Sequence, residues 1–277
     1  MKVAIIVYST YGHILTLAKS VQEGVSKAGY KADLFQVPET LPQDVLDQLH
    51  AAPKPKDVPI ATLDTLTEYD AFLFGIPTRF GTLPAQFFEF FAATGGLWAQ
   101  GALAGKPAGI FVSTGTQGGG QETTVRNSLN FLAHHGLIYI PLGYAKAFAL
   151  QSNLEEIHGG SPYGAGTFAG GDGSRQPTEL EKEVAATQGE VFAQSAVKFC
   201  SGEKKTESKS AAAAAQQPAQ TKEKSAAAQQ PAQTKEKSAA AQQPAQTKEK
   251  PAEARAQQSA KAPESEDKSF CSKCIIM

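Results

Sequence analysis

Short runs of apolar residues recur along the first part of the chain, each followed by a polar or glycine-rich stretch. Residues 3–8 (VAIIVY), 71–76 (AFLFGI), 108–113 (AGIFVS) and 137–141 (LIYIP) are such runs, and residues 32–37 form a shorter one. A continuous apolar run, rather than an alternating one, marks a strand buried on both faces. Between the runs the spacing changes. Residues 14–28 place Leu17, Val21 and Val25 on one side of a helix. Further helices are expected near 84–93, 121–135 and 178–199. Strand and helix in alternation predict a parallel sheet with right-handed crossovers and helices on both faces, an α/β doubly wound domain. Such a sheet binds its ligand at the carboxyl ends of its strands.

The composition changes sharply near Ser201. Beyond it the chain is Ala, Gln, Pro, Lys, Glu and Ser, with no aromatic residue until Phe270. The unit SAAAQQPAQTKEK occurs intact from Ser225 and again from Ser238, and a longer variant precedes them from Ser210. These units are too short for a solenoid repeat and carry no large apolar residue to bury. The expected organisation is a folded domain over 1–200, a disordered linker over 201–270 and a lipidation motif over 271–277. The sequence finishes in Cys274-Ile275-Ile276-Met277, a C-a-a-X box whose Met favours farnesyl on Cys274. Cys271 is placed to take a palmitoyl group as the second signal that stable anchoring requires. The expected location is the cytoplasmic face of a membrane, foremost the plasma membrane, with a cytoplasmic fraction.

Other classes are disfavoured. The formal charge of −1 and the lack of a basic stripe speak against nucleic acid. No run of about eighteen apolar residues is present to span a bilayer. The first apolar run is too short for a signal peptide, and Lys2 stands where N-myristoylation needs glycine. With two of three cysteines assigned to the tail, Cys200 is expected to be an inert buried thiol. No metal site is expected, because adjacent histidines on a helix point in different directions.

Three clusters follow strands and define the candidate site. The first is Ser9, Thr10, Tyr11, Gly12, His13 and Ile14, at the start of a helix. A helix N-terminus with hydroxyl donors suits a phosphate. Neither GxGxxG nor GxxxxGK[ST] is present, so a monophosphate such as that of FMN fits better than a dinucleotide or triphosphate. The second is Pro77, Thr78, Arg79, Phe80 and Gly81, a flat apolar ring beside a cation, suited to an isoalloxazine. The third is Ser113, Thr114, Gly115, Thr116, Gln117, Gly118 and Gly119, where glycines permit close backbone approach. His134 and His135 admit two readings: one packed and one exposed with no further role, or, the one favoured, one of them at the flavin edge, His134 ahead of His135, as donor to a quinone oxygen or flavin carbonyl. Trp98, in a glycine-flanked loop, is a candidate lid or subunit contact. Phe87, Phe88, Phe90 and Phe91 read as core or oligomer interface.

The segments STYGHI, PETLP, PTRFG, TGGLW, STGTQGGGQE, LAHHG, PLGY, GGSPYGAG and AGGDGSRQPTELE, taken in order across 1–200, resemble the WrbA-type NAD(P)H:quinone oxidoreductases. The tail is similar to that of certain fungal members. The resemblance implies a flavodoxin-like five-stranded sheet in the order 2-1-3-4-5, FMN as cofactor, NADH or NADPH as co-substrate, and a quinone as acceptor. It implies that the first cluster holds the phosphate, with Tyr11 also near the nicotinamide. It further implies ring contacts from Thr78, Arg79 and Phe80, and a histidine at His134. Trp98 would come from a neighbouring subunit of a homotetramer. Gln117 stands as an insertion relative to the family's STGTGGGQE, so the correspondence along that loop holds to within one residue. A different class is also open: a low-activity membrane-associated flavoprotein with an organising role in plasma-membrane domains.

Overall fold

Residues 1–200 are described by the computed structural model; the expected linker over 201–270 and the lipidation motif over 271–277 lie outside the described residues. The first strand, β1 (Lys2–Val7), leads into α1 (His13–Lys27) and returns to β2 (Lys31–Gln36). Two short helices follow, α2 (Gln43–Gln48) and α3 (Leu63–Glu68), before β3 (Ala71–Pro77). Then come α4 (Ala85–Ala92), α5 (Gly95–Ala99), β4 (Pro107–Thr114) and α6 (Gln121–His135). The last elements are β5 (Ile138–Tyr139), α7 (Phe148–Gln151), β6 (Gly166–Phe168) and α8 (Glu179–Cys200).

All strand pairs are parallel, and the sheet runs β2-β1-β3-β4-β5, the expected 2-1-3-4-5 order. The difference from expectation lies at the last position. The fifth strand is only two residues long and pairs with Pro107 and Ala108, at the start of β4. A sixth strand, β6, pairs with Val112 to Thr114 at the other end of β4. The edge position beside β4 is therefore split, and residues 140–165 leave the sheet between its two halves.

Period-two alternation sorts the strands onto two cores. Val3, Ile5, Val7, Leu73 and Phe111 face α1 and α8, where Leu17, Val21, Val184 and Phe192 cover them. Ala4, Ile6, Phe72, Phe74, Ile110 and Val112 face the other way, under α4 and α6 with Phe87, Val125 and Leu132. Both faces being covered is why these strands read as unbroken apolar runs. Glycine matters where α1 crosses α8. A Cβ on Gly24 would lie 1.8 Å from the carbonyl oxygen of Ala186, and one on Gly189 would lie 2.1 Å from that of Val21. The two backbones touch there, and no side chain fits between them.

Of the phenylalanine stripe, Phe87 and Phe90 are buried, Phe91 is half-buried and Phe88 faces solvent. Cys200 is half-buried rather than buried, because α8 ends at the domain surface, with its Sγ 3.7 Å from the carbonyl oxygen of Asp70. Among the described residues no helix is long and apolar enough to cross a membrane.

Candidate functional site

β1, β3 and β4 lie side by side at the centre of the sheet, so the loops leaving their carboxyl ends are neighbours. The loop after β1 turns through Gly12 at φ 92° and enters α1 with no side-chain cap and no acidic residue in the first turn. The Gly12 amide donates to the Ser9 Oγ at 3.0 Å. Thr10 is buried. The first amides of α1 are left without a side-chain cap at the positive end of the helix dipole, an arrangement that receives an anion.

Two residues beyond the predicted clusters brace this loop. Lys54 donates from Nζ to the Ser9 carbonyl at 3.1 Å, pairs with Glu39 at 3.0 Å and lies 4.1 Å above the Tyr8 ring. The Ala52 amide donates to the Thr10 carbonyl at 2.8 Å. Glu39 also accepts from the Tyr8 hydroxyl and from Gln86. Burial pushes the Glu39 carboxyl up, but hydrogen bonds from Lys54 and from the Leu41 and Thr40 amides outweigh it and hold it below the usual range. Burial, reinforced by Glu39, pushes the Tyr8 phenol up, so it stays a proton donor. Glu39 falls within PETLP, but Lys54 carries no local signal and is found only through tertiary contact.

After β3 the chain makes a two-residue hairpin. Arg79 and Thr82 exchange amide hydrogen bonds of 2.9 and 3.0 Å, while Phe80 and Gly81 sit at φ 52° and 73°. Positive φ at both central residues belongs to the tight primed turns, and a phenylalanine there is strained. Phe80 is 88% exposed, so its ring is held away from its own chain. The Arg79 guanidinium donates to the Thr78 carbonyl at 2.9 Å and to the Thr10 Oγ1 at 3.3 Å, joining the second loop to the first. Thr78 joins the second loop to the third. Its amide donates to the Ser113 carbonyl at 2.9 Å and its hydroxyl lies 2.6 Å from that of Thr124.

The third loop folds on itself. The Gly119 amide and the Thr114 hydroxyl both donate to the Thr116 carbonyl, at 3.0 and 2.9 Å. A Cβ on Gly119 would come within 2.8 Å of Thr114, whereas one on Gly118 would meet nothing within 4 Å. Gly118 thus lies beside open space, as a backbone that admits a ligand must. Gly120, at φ 88°, opens α6. The buried Gln121 side chain then ties the loop to its far wall, donating to Thr114 and Thr167 and accepting from the Gly160 amide.

That far wall is a fourth segment, which no local feature marks as part of the site. The Ala169 and Gly170 amides donate to the Thr114 and Gly115 carbonyls at 2.8 and 2.9 Å. Arg175 offers its carbonyl to His13 Nε2 at 2.8 Å. A carbonyl oxygen can only accept, so Nε2 carries the proton. Burial pushes the His13 pKa down, and the ring is neutral with Nδ1 as acceptor.

The structure brings Ser9 to Ile14, Pro77 to Gly81 and Ser113 to Gly119 together at one end of the sheet. It does not bring Trp98 or His134 to them within one chain. α6 is 15 residues long, about 22 Å, and runs back from the glycine-rich loop to the amino ends of the strands. His134 is exposed on its last turn. His135 is buried, 2.8 Å from the Thr94 hydroxyl and with its ring tilted at 50° to that of Phe131. Burial, then the neighbouring His134, holds the His135 pKa down. Thr94 precedes α5, so the 58%-exposed Trp98 shares this far end with His134.

Residues 1–149 match the model of the NADPH-dependent FMN reductase family. The Candida albicans NAD(P)H quinone oxidoreductase YCP4 is 75% identical over 288 aligned residues that cover all of both chains. A second C. albicans protein, NAD(P)H quinone oxidoreductase PST3, is 71% identical over 69% of this chain and 96% of its own. Among solved structures, a flavodoxin, WrbA-like protein from Agrobacterium tumefaciens superposes with a TM-score of 0.50. It covers 72% of this chain and 98% of its own at 20% identity, which shows the flavodoxin-like fold.

Proposed function

The chain belongs to the NADPH-dependent FMN reductase family, in its WrbA-type NAD(P)H quinone oxidoreductase branch, and on that premise we propose that it reduces quinones by two electrons at the carboxyl ends of β1, β3 and β4. The overall reaction takes NAD(P)H, a proton and a quinone to NAD(P)⁺ and a hydroquinone. FMN, when bound, supplies the two-electron carriage between donor and acceptor.

The observation that carries this reading is the joining of three loops by two residues, Arg79 from the second loop to Thr10 in the first, and Thr78 to Ser113 in the third. The uncapped start of α1 fits a dianionic phosphate, with Ser9 to Ile14 supplying amides and hydroxyls. Thr78, Arg79 and Phe80 would hold one edge of the ring, and the outward Phe80 offers it an aromatic neighbour. Amides within Ser113 to Gly119, that of Gly119 excepted because it is held by the Thr116 carbonyl, would meet the ring carbonyls. Tyr11, 41% exposed, would be open to contact with the nicotinamide as well.

Trp98 and His134 complete the site from a neighbouring copy of a homotetramer, which excludes water and sets a donor at the quinone oxygen. Their shared exposure at the amino end of the sheet, about one helix length from their own loops, supports this assignment. Mixing an Arg79→Ala variant with a Trp98→Ala variant, each inactive alone, should restore activity in the mixed oligomer. Mixtures as inactive as their components would remove the neighbouring copy from the site.

The C-terminal sequence supports tethering to a membrane by farnesylated Cys274 and palmitoylated Cys271, with quinones dissolved in the same lipid as substrates. Cys274→Ser should release the protein to the cytosol. The reaction itself is tested by anaerobic stopped-flow absorbance of the FMN-loaded protein. NADH or NADPH should bleach the flavin and benzoquinone should restore it. Flavin that binds and is not reduced would overturn the enzyme and favour an organising flavoprotein at the membrane.

A further inference from the structure

The most heavily engaged buried charge among the described residues is remote from the predicted clusters. Glu181, on the first turn of α8, has no exposed surface. Its Oε1 accepts from the Gly159 amide at 2.8 Å. Its Oε2 accepts from the Thr167 hydroxyl at 2.7 Å, from the Thr178 amide at 3.0 Å and from the Arg175 guanidinium at 3.0 Å. With Thr178 it forms a capping box, since the Glu181 amide donates back to Thr178 Oγ1 at 3.3 Å. A capping box needs no burial and no arginine. Holding a carboxylate out of water is costly unless every lone pair is used, and here the protein uses them on one segment.

That segment is the fourth wall. Arg175 donates to the carbonyls of Phe168 and Ile157 as well as to Glu181. Its own backbone closes a turn, its amide donating to Ala169. The turn is thereby fixed at both ends of residues 169–175. From this fixed turn two contacts leave. One is the pair of amides at Ala169 and Gly170 on the glycine-rich loop, and the other is the Arg175 carbonyl on His13 in the first turn of α1. We propose that Arg175 and Glu181 are positioning residues for the cofactor phosphate, acting through the Arg175 carbonyl that orients His13 and so fixes the loop Ser9 to Ile14. The inference rests on the assignment of FMN to this site.

A purely structural pair would loosen every ligand alike. A phosphate-positioning pair weakens FMN more than riboflavin, which has the same ring and no phosphate. The test is the dissociation constant of each flavin, read by fluorescence quenching on the full-length protein stripped of cofactor, with thermal melting to confirm folding. Glu181→Gln and His13→Leu should each weaken FMN by about tenfold, the loss of one buried hydrogen bond, and riboflavin by less than about threefold. His13→Gln, which keeps a donor toward Arg175, should recover FMN binding to within about threefold of the natural protein. The ³¹P resonance of bound FMN should shift in Glu181→Gln and in His13→Leu and stay near its natural position in His13→Gln. Equal losses for FMN and riboflavin, or an unchanged FMN constant in a folded variant, overturn the proposal. If Glu181→Gln does not fold, the His13 pair decides it alone. A natural protein that binds neither flavin overturns the FMN assignment itself, and this inference with it.

Discussion

The two faces of the sheet are packed by opposite means. Under α1 and α8 the core is mainly aliphatic, with Phe111 and Phe192 among its members, and the helices meet backbone to backbone, with Gly24 and Gly189 at contact distance from main-chain oxygens. Under α4 and α6 the core is aromatic. Phe74 is ringed by Phe72, Phe87, Phe91 and Phe131, and Phe91 lies flat on Phe131 with centroids 3.5 Å apart. Close-packed interiors resist both voids and excess volume, but the two faces sit near different limits. One has no room for an added atom. The other depends on large rings that nothing else would replace.

The largest effect should come from removing a ring on the aromatic face. Phe74→Ala is expected to cost about 3–5 kcal/mol, measured by urea unfolding. A cost near that of an exposed residue would mean the neighbouring rings collapse into the space. Adding one methyl on the other face comes next. Gly24→Ala should cost about 1–3 kcal/mol, toward the upper end because the obstacle is backbone that cannot rotate aside. A neutral result would show that α8 can slide along α1. Third is Thr94→Val, which leaves the buried His135 nitrogen without its partner. It should cost about 1–2 kcal/mol. The smallest effect is on pH. His13 and His135 both have pKa values held down by burial, so each binds a proton more readily in the unfolded chain. Their contribution is intact above the unfolded pKa of about 6.5 and is lost as pH falls below it. His135→Gln, which cannot titrate, should remove the His135 share of that slope, and an unaltered profile would remove His135 from the explanation.

Much of this fold is legible in the sequence because burial on both faces writes itself as unbroken apolar runs. Four strands and the four long helices begin within about two residues of their expected positions, the scatter normal for element ends. Legibility fails at the split edge. The run at 137–141 pairs over only two residues, because residues 140–165 depart there. The three residues of β6 are too few to show a period. The short α2, α3, α5 and α7 escape for the same reason.

The site divides likewise. Its three loops follow strands and carry local turn chemistry, so they could be read directly. Lys54 and the turn at 169–175 reach the site across sequence separations of 45 and 162 residues, as the contacts to Ser9 and His13 show. No local pattern encodes such a meeting. His134 differs again: its chemistry is visible in the sequence, but only the helix length shows that the three candidate loops of its own chain are out of reach.

The pairing of α1 with α8 also sets an order of events during synthesis. The first helix lays its apolar stripe on the sheet and meets the last described helix at Gly24 and Gly189, so its cover is complete only when nearly the whole domain has been made. At about 5–20 residues per second, α1 waits roughly ten to thirty seconds for its partner to be translated. During that interval the flank of α1 around Gly24 is open to chaperones and to other nascent chains. Yield from cells, more than stability of the finished protein, is therefore where a slow codon or a weakened α8 would first be felt.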